Sequence, residues 1–253
     1  MAEVRTPAVL LRGHDYGDTS RILRFYTEAQ GLLSVMGRGV RGRSGKGSTT
    51  IASFCTGELQ AFVKPSRDLH TMKDFTCTRL REGLGGDVLR FAGASAAAEL
   101  VLAHAEQERH PGLFEALEAA LDALVGAARE DLPATALAGL WTIVEAFGFA
   151  PQLDPCLRCG RSLDEDEIGR FDLAGGGVRC ADCGEGAAGP RIGPIARGQL
   201  GALLEGDAPA GLGHARQHLG LLSDFVAYHV ASKPLKSLRF LGGVLPADEP
   251  ADV

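Results

Sequence analysis

The 253-residue chain is 45 % hydrophobic and 23 % charged, the make-up of an ordinary globular protein, which excludes collagen-like and low-complexity classes. Its formal net charge of -6 excludes a molecule that is basic throughout. Yet residues 1–81 carry 13 Lys+Arg against 7 Asp+Glu, and the remainder 13 against 25, which points to a basic binding domain on an acidic body.

The first residues, Met1 to Pro7, lack the apolar stretch of a secretory signal. No uninterrupted apolar run approaches the ~18 residues of a membrane span. The expectation is a soluble cytoplasmic protein with no membrane partner. Residues 1 to about 80 read as β structure. Val4–Arg12 holds the apolar run Ala8–Leu11, and His14–Asp18 reads as a turn. Ile22–Thr27 is a second strand and Leu32–Met36 a third. Phe54–Val63 alternates Leu59, Ala61 and Val63 with Glu58, Gln60 and Phe62. After a break at Pro65–Asp68, Leu69–Thr78 supplies a last strand. Short strands at this spacing predict a five-stranded OB-type barrel, a frequent binder of single strands.

Between the third and fourth strands, Arg38, Arg41, Arg43 and Lys46 alternate with glycines, and no acidic residue interrupts them. Glycine lets a backbone approach its ligand closely, so this segment suits a nucleic-acid backbone. Gly37, Gly39 and Gly42 also spell G-x-G-x-x-G, but no helix-period pattern follows, as a dinucleotide fingerprint requires. Gly45-Lys46 is no P-loop, because Val40 stands where the first glycine should be and Gly47 replaces the Ser/Thr. Arg21, Arg24, Lys64 and Arg67 are further candidate phosphate ligands on the same barrel. Tyr16, Tyr26, Phe62 and His70 are candidates for base stacking, with barrel core as the competing role.

From about residue 85 the period becomes helical. Asp87–Arg109 is rich in alanine and sets Leu100, Val101 and His104 at helix spacing. Leu113–Arg129 carries the stripe Leu113, Leu117, Leu121, Leu124 and Val125. A helix begun at Asp131–Pro133 aligns Leu137, Leu140, Trp141, Val144 and Phe147, which predicts Trp141 in a bundle core. Ile195–Glu205 and His214–Ala231 are two more helices. The basic, apolar end Ser232–Leu241 precedes an acidic tail over 246–253 that should be disordered.

Two C-x-x-C pairs, Cys156/Cys159 and Cys180/Cys183, have the spacing of two knuckles around one ion. The reading is a closed, structural four-thiolate zinc site. Gly160 and Gly184 follow each knuckle where a permissive backbone is often needed. The surrounding segment has few apolar residues, so metal would supply its folding energy. Asp164–Glu167 reads as a solvated acidic face. A competing reading joins His104-x-Glu106 to Pro155-Cys156-x-x-Cys159 as a zinc-dependent nucleobase deaminase signature, although a whole helix lies between its halves. A zinc-ribbon DNA-binding regulator is the other alternative.

In this order the parts resemble the bacterial recombination mediator family RecO. The resemblance rests on Ala8-Val-Leu-Leu-Arg followed by Tyr16-Gly-Asp-Thr-Ser-Arg-Ile-Leu, and on Gly37-Arg-Gly-Val-Arg41. It continues through Glu99-Leu100 with Leu113-Phe114-Glu-Ala-Leu117, Gly148 to Gly160 around the first cysteine pair, and Pro234-Leu-Lys-Ser237. It implies an α+β chain: an OB-fold barrel (1–82), a helical domain in two parts (83–152 and 191–245), an inserted zinc ribbon (153–190) and a tail (246–253). It also implies a non-enzymatic protein that binds single- and double-stranded DNA, anneals complementary strands and helps load RecA onto DNA coated with single-strand-binding protein. RecR is the implied partner. Lys233, Lys236 and Arg239, interleaved with apolar residues, are candidates to receive the acidic tail of single-strand-binding protein.

Overall fold

The computed structural model describes residues 2–40, 52–231 and 233–247. Arg41, Arg43 and Lys46, together with the acidic tail beyond residue 247, lie outside the described residues.

Five strands close a barrel in the order β1-β2-β3-β5-β4: β1 (Ala2–Tyr16), β2 (Ser20–Thr27), β3 (Gly31–Gly37), β4 (Thr56–Val63) and β5 (Leu69–Arg79). β3 and β5 run parallel and the other neighbours antiparallel, which is the expected OB arrangement. Closure leaves no open sheet edge. Ala8, Leu10, Leu23, Phe25, Val35, Leu59, Ala61 and Phe75 fill the interior. Val9, Leu11, Tyr26 and Leu32 face outward and join the helical core instead. The unbroken apolar run Ala8–Leu11 therefore serves two cores from the two faces of one strand. β1 continues past Arg12 to Tyr16, so the turn expected from His14 begins only at Gly17. A bulge between Leu10 and Arg12 lets the strand bend and carry on.

Among the described residues, six α-helices form the body: α1 (Val88–His104), α2 (Pro111–Gly126), α3 (Leu132–Ala146), α4 (Pro194–Leu204), α5 (Ala215–His229) and α6 (Lys236–Val244). Asp87 caps α1 by accepting the N–H groups of Leu89 and Arg90. α1 stops at His104, short of the expected Arg109. His110 and Pro111 start α2, with His110 Nδ1 accepting the Leu113 N–H at 3.1 Å. The residues between turn back onto the barrel, where the Glu106 carbonyl accepts the Leu32 N–H at 2.9 Å. Gly31 is required at that meeting: its φ is +64° and a Cβ would stand 2.3 Å from the Glu108 carbonyl oxygen. The end of α2 is held by Arg90, which donates to the carbonyls of Val125 and Ala127, each at 2.7 Å. Trp141 is fully buried, its ring 5.3 Å from that of Phe225.

A three-stranded sheet, β6 (Gly169–Asp172), β7 (Gly177–Arg179) and β8 (Arg191–Ile192), carries the cysteine segment in the order β7-β6-β8. Phe171, Val178 and Ile192 from this sheet belong to the main helical core, with the Phe171 ring 6.3 Å from Phe225 of α5. The expectation of a segment with too little core to fold unaided is corrected to this extent: the sheet shares the body's core through one face.

Candidate nucleic-acid interface and metal centre

Register sets the described candidate cations along β2, the end of β3 and the turn into β5. Arg21 of β2 pairs with Gly37 at the end of β3, and Arg38 follows directly. Arg24 pairs with Ser34 of β3, and Ser34 pairs with Leu69 at the start of β5. Lys64 and Arg67 occupy the turn leading into Leu69, closed by an Arg67 N–H to Lys64 carbonyl bond of 3.1 Å. Arg21 lies 3.4 Å from Asp15, so this candidate is partly neutralised. Among the described residues, Arg24, Arg38, Lys64 and Arg67 have no carboxylate within ion-pair distance.

The β1–β4–β5 side is built differently. There Arg5 meets Glu58 at 2.6 Å, Lys73 meets Glu3 at 2.5 Å, and Arg79 pairs with Asp122. The Arg5 guanidinium holds the Glu58 carboxyl below the usual range, mainly through a side-chain hydrogen bond. Cations that already have carboxylates offer little to a phosphate. Cations without them keep their charge for a ligand.

Two stacking candidates take the competing role and are buried in the packing. Tyr26 is buried at the junction with the helices, its ring 6.5 Å from Phe114, and burial pushes its pKa up to about 12. His70 is buried against the barrel interior, where its Nδ1 accepts the Lys64 N–H at 3.4 Å. Both sit where alternation is apolar, so packing took them. Tyr16 is 57 % exposed at the β1–β2 turn. Phe62 is half-buried with Lys73 Nζ 6.0 Å from its ring centre.

The sulfur atoms of Cys156, Cys159, Cys180 and Cys183 all lie within 4.8 Å of one another. Four thiolates bonded to zinc at ~2.3 Å in a tetrahedron stand about 3.8 Å apart. The Cys159 and Cys180 sulfurs are 3.8 Å apart, so the donor set fits that ion. The Cys180 N–H donates to the Cys156 sulfur at 3.2 Å. Burial alone raises the Cys156 thiol pKa, but backbone donors from Cys180, Cys159 and Arg158 outweigh it and bring it down to about 6. Cys183, hydrogen-bonded to Cys180 and crowded by Cys159 and Cys156, is pushed up to about 12. Four sulfurs this close could all ionise only with a cation between them. Gly160 takes φ +72°, as expected at a knuckle. Gly184 does not need a left-handed backbone; a Cβ there would stand 3.2 Å from Arg170 Cβ.

Sequence reading missed the brace of this centre. Glu167, expected on a solvated face, accepts Arg161 Nη1 and Nη2 at 3.0 and 2.9 Å and the Ala181 N–H at 2.8 Å. It thereby joins the first knuckle to the second. His104 is not a ligand: its Nδ1–H donates to the Val230 carbonyl at 2.9 Å, and its ring packs against Phe147 and Phe149. Glu106 is exposed on the α1–α2 connection. Neither belongs to the four-cysteine cluster, which removes the geometric basis of the deaminase reading. Lys233, Lys236 and Arg239 are exposed, and Phe240 beside them is 45 % exposed.

No helix of the described residues is long and apolar enough to cross a membrane. The family description "Recombination protein O N terminal" matches residues 1–81, and "Recombination protein O C terminal" matches residues 85–239. A DNA repair protein RecO of Anaeromyxobacter sp. (strain K) is 32 % identical over 97 % of this chain and 98 % of its own length. That of Desulfatibacillum aliphaticivorans is 32 % identical over 95 % and 97 %. That of Nocardioides sp. is 29 % identical over 94 % and 98 %.

Proposed function

The chain belongs to the recombination protein O family of DNA repair proteins, and from that premise we propose that it is a recombination mediator working on DNA in the cytoplasm, at the nucleoid. It binds single- and double-stranded DNA without reading sequence, anneals complementary strands, and helps RecA load where single-strand-binding protein coats the DNA. RecR is its partner in that task. The observation that supports this most is the division of the barrel surface, with cations paired on the β1–β4–β5 side and lacking carboxylates around Arg24, Arg38, Lys64 and Arg67.

The residues assigned to DNA are Arg21, Arg24, Arg38, Arg41, Arg43, Lys46, Lys64 and Arg67. Each phosphate neutralised releases counterions. Two strands held on one such surface lose part of their mutual repulsion and pair more readily. Zinc held by Cys156, Cys159, Cys180 and Cys183 would cross-link the two knuckles, a structural task, because four protein ligands leave no open position. On α6, Lys236 and Arg239 with Lys233 and Phe240 form a cationic, partly apolar face for the acidic tail of single-strand-binding protein.

The test is DNA binding and strand annealing titrated against salt. About five phosphate contacts predict a log–log slope near roughly -3.5 on single strands. Arg24→Glu with Arg38→Glu should abolish both activities without unfolding the barrel. Unchanged affinity at low salt refutes the assignment.

A further inference from the structure

β1 changes the face it presents at one point. Ala8 and Leu10 belong to the barrel interior, so strict alternation would carry Arg12 inward as well. The bulge between Leu10 and Arg12 inserts Leu11 and sets Arg12 opposite Arg24 of β2 instead. Bulges re-aim side chains in this way beside functional sites. Beyond it Gly13 pairs with Leu23 of the interior, and a Cβ there would stand 2.9 Å from Leu23 Cδ2. The bulge and the glycine together place a cation on the outer surface where the plain pattern has none.

Like charges directly opposite on neighbouring strands are destabilising. On the β1–β4–β5 side the barrel sets Arg5 against Glu58 and Lys73 against Glu3. At Arg12 and Arg24 it sets cation against cation, with no carboxylate of the described residues within ion-pair distance. Arg24 Nε is buried and has no hydrogen-bond partner among the described residues, and a buried donor without an acceptor is costly. Burial, and then the Arg12 guanidinium, lower the Arg24 pKa. Register extends the pair into a line across four strands: Arg12, Arg24, Ser34, Leu69. The neighbouring outward line is His14, Ile22, Met36, Thr71.

We propose that Arg12 and Arg24 form a phosphate clamp, in which one phosphodiester of a bound strand seats between the two guanidinium groups and accepts N–H donors from both. A shared anion converts their repulsion into attraction, and guanidinium–phosphate bonds are among the strong ones. The clamp rests on the reading of the barrel as a nucleic-acid surface, and adds a ligand, Arg12, and a path. The backbone follows the Arg12–Arg24–Ser34 line toward the Lys64–Arg67 turn, with bases over Ile22 and Met36.

The test compares Arg12→Gln, Arg12→Glu and the control Arg5→Gln on the full chain, with an oligothymidylate as probe. Arg12→Glu turns the cation pair into an ion pair, so the DNA-free protein should melt at a higher temperature than wild type. Both Arg12 variants should bind roughly tenfold or more weakly at low salt, with a log–log salt slope shallower by about 0.7. Arg5→Gln should bind as wild type does. If Arg12→Gln and Arg12→Glu bind like wild type while wild-type binding stays steep in salt, the clamp is overturned and the nucleic-acid surface stands. If wild type shows no salt-dependent binding, the surface falls and the clamp with it. Should Arg12→Glu fail to fold, the affinity and slope of Arg12→Gln decide alone.

Discussion

Arg81 reaches from the end of the barrel to Glu118 of α2, Nη2 to Oε1 at 2.8 Å, with the arginine side chain 2 % exposed. Its Nε donates to Asp122 at 2.7 Å, and its Nη1 to the Phe54 carbonyl and Thr56 hydroxyl, both at 2.8 Å. Phe54 needs this support, because its φ of 66° is unusual for a bulky side chain. One buried cation thus locks an irregular approach to β4 against α2. A buried charge stripped of its partner is strongly destabilising. Glu118→Ala should cost about 3 kcal/mol, and Asp122→Ala less, because Asp122 is the more exposed partner. Urea unfolding midpoints give the order; equal and negligible losses would remove Arg81 from its role as the junction's lock.

Glu167 makes the cysteine segment acid-sensitive in a defined direction. Arg161 first, then the N–H groups of Ala181 and Asp164, hold its carboxyl down to about 2 from the ordinary 4.5. A depressed carboxylate contributes fully above its unfolded value and loses that contribution as pH falls through the folded one. Glu167→Gln should therefore melt lower than wild type at neutral pH. The gap should narrow as pH drops from about 4.5 toward about 2. Melting curves across that range check it, and a constant gap would show that the carboxylate's charge plays no part.

What could be read from the chain and what could not follow physical lines. Short apolar runs and alternation located β1–β5, and the 3.6 period located α1–α5, because burial writes itself into spacing. The C-x-x-C pairs located the four-cysteine cluster because metal ligands must come from tight local turns. Arg12 was invisible because a bulge has no compositional signal and breaks the alternation that would assign its face. Arg81, Glu167 and the Glu99–Ser237 contact are long-range partners, joined across 37, 14 and 138 positions, and no local pattern encodes such distances. His104 looked chemical in sequence because H-x-E is a short string; its ring is occupied by a backbone carbonyl and two phenylalanines.

Metal should stabilise the helical body and leave the barrel's affinity for DNA intact. Phe171, Val178 and Ile192 tie the cysteine sheet to the helical core, whereas the barrel interior is a separate cluster. Cys156→Ser, or removal of metal by a chelator, should lower the melting temperature and abolish bound zinc. Single-strand affinity at fixed salt should change by less than about threefold, since no phosphate contact is lost. A loss of DNA binding in proportion to lost zinc would mean that the centre carries part of the nucleic-acid surface.

Glu99 of α1 accepts two hydrogen bonds from the first turn of α6, from the Ser237 N–H at 2.7 Å and the Ser237 hydroxyl at 2.5 Å. Its carboxylate serves α6 as a capping acceptor from another helix, on the end where the dipole favours negative charge. Glu99→Ala should loosen α6, so that amides over 236–244 exchange faster while α2 and α3 stay protected. Lys236→Glu with Arg239→Glu should do the reverse: exchange unchanged, because both side chains point to solvent, but loss of binding to an acidic peptide with an apolar C-terminus. The two variants separate docking of the helix from recognition by its exposed face. If charge reversal leaves peptide binding intact, the outer face of α6 is a solvated surface and the partner's tail is received elsewhere.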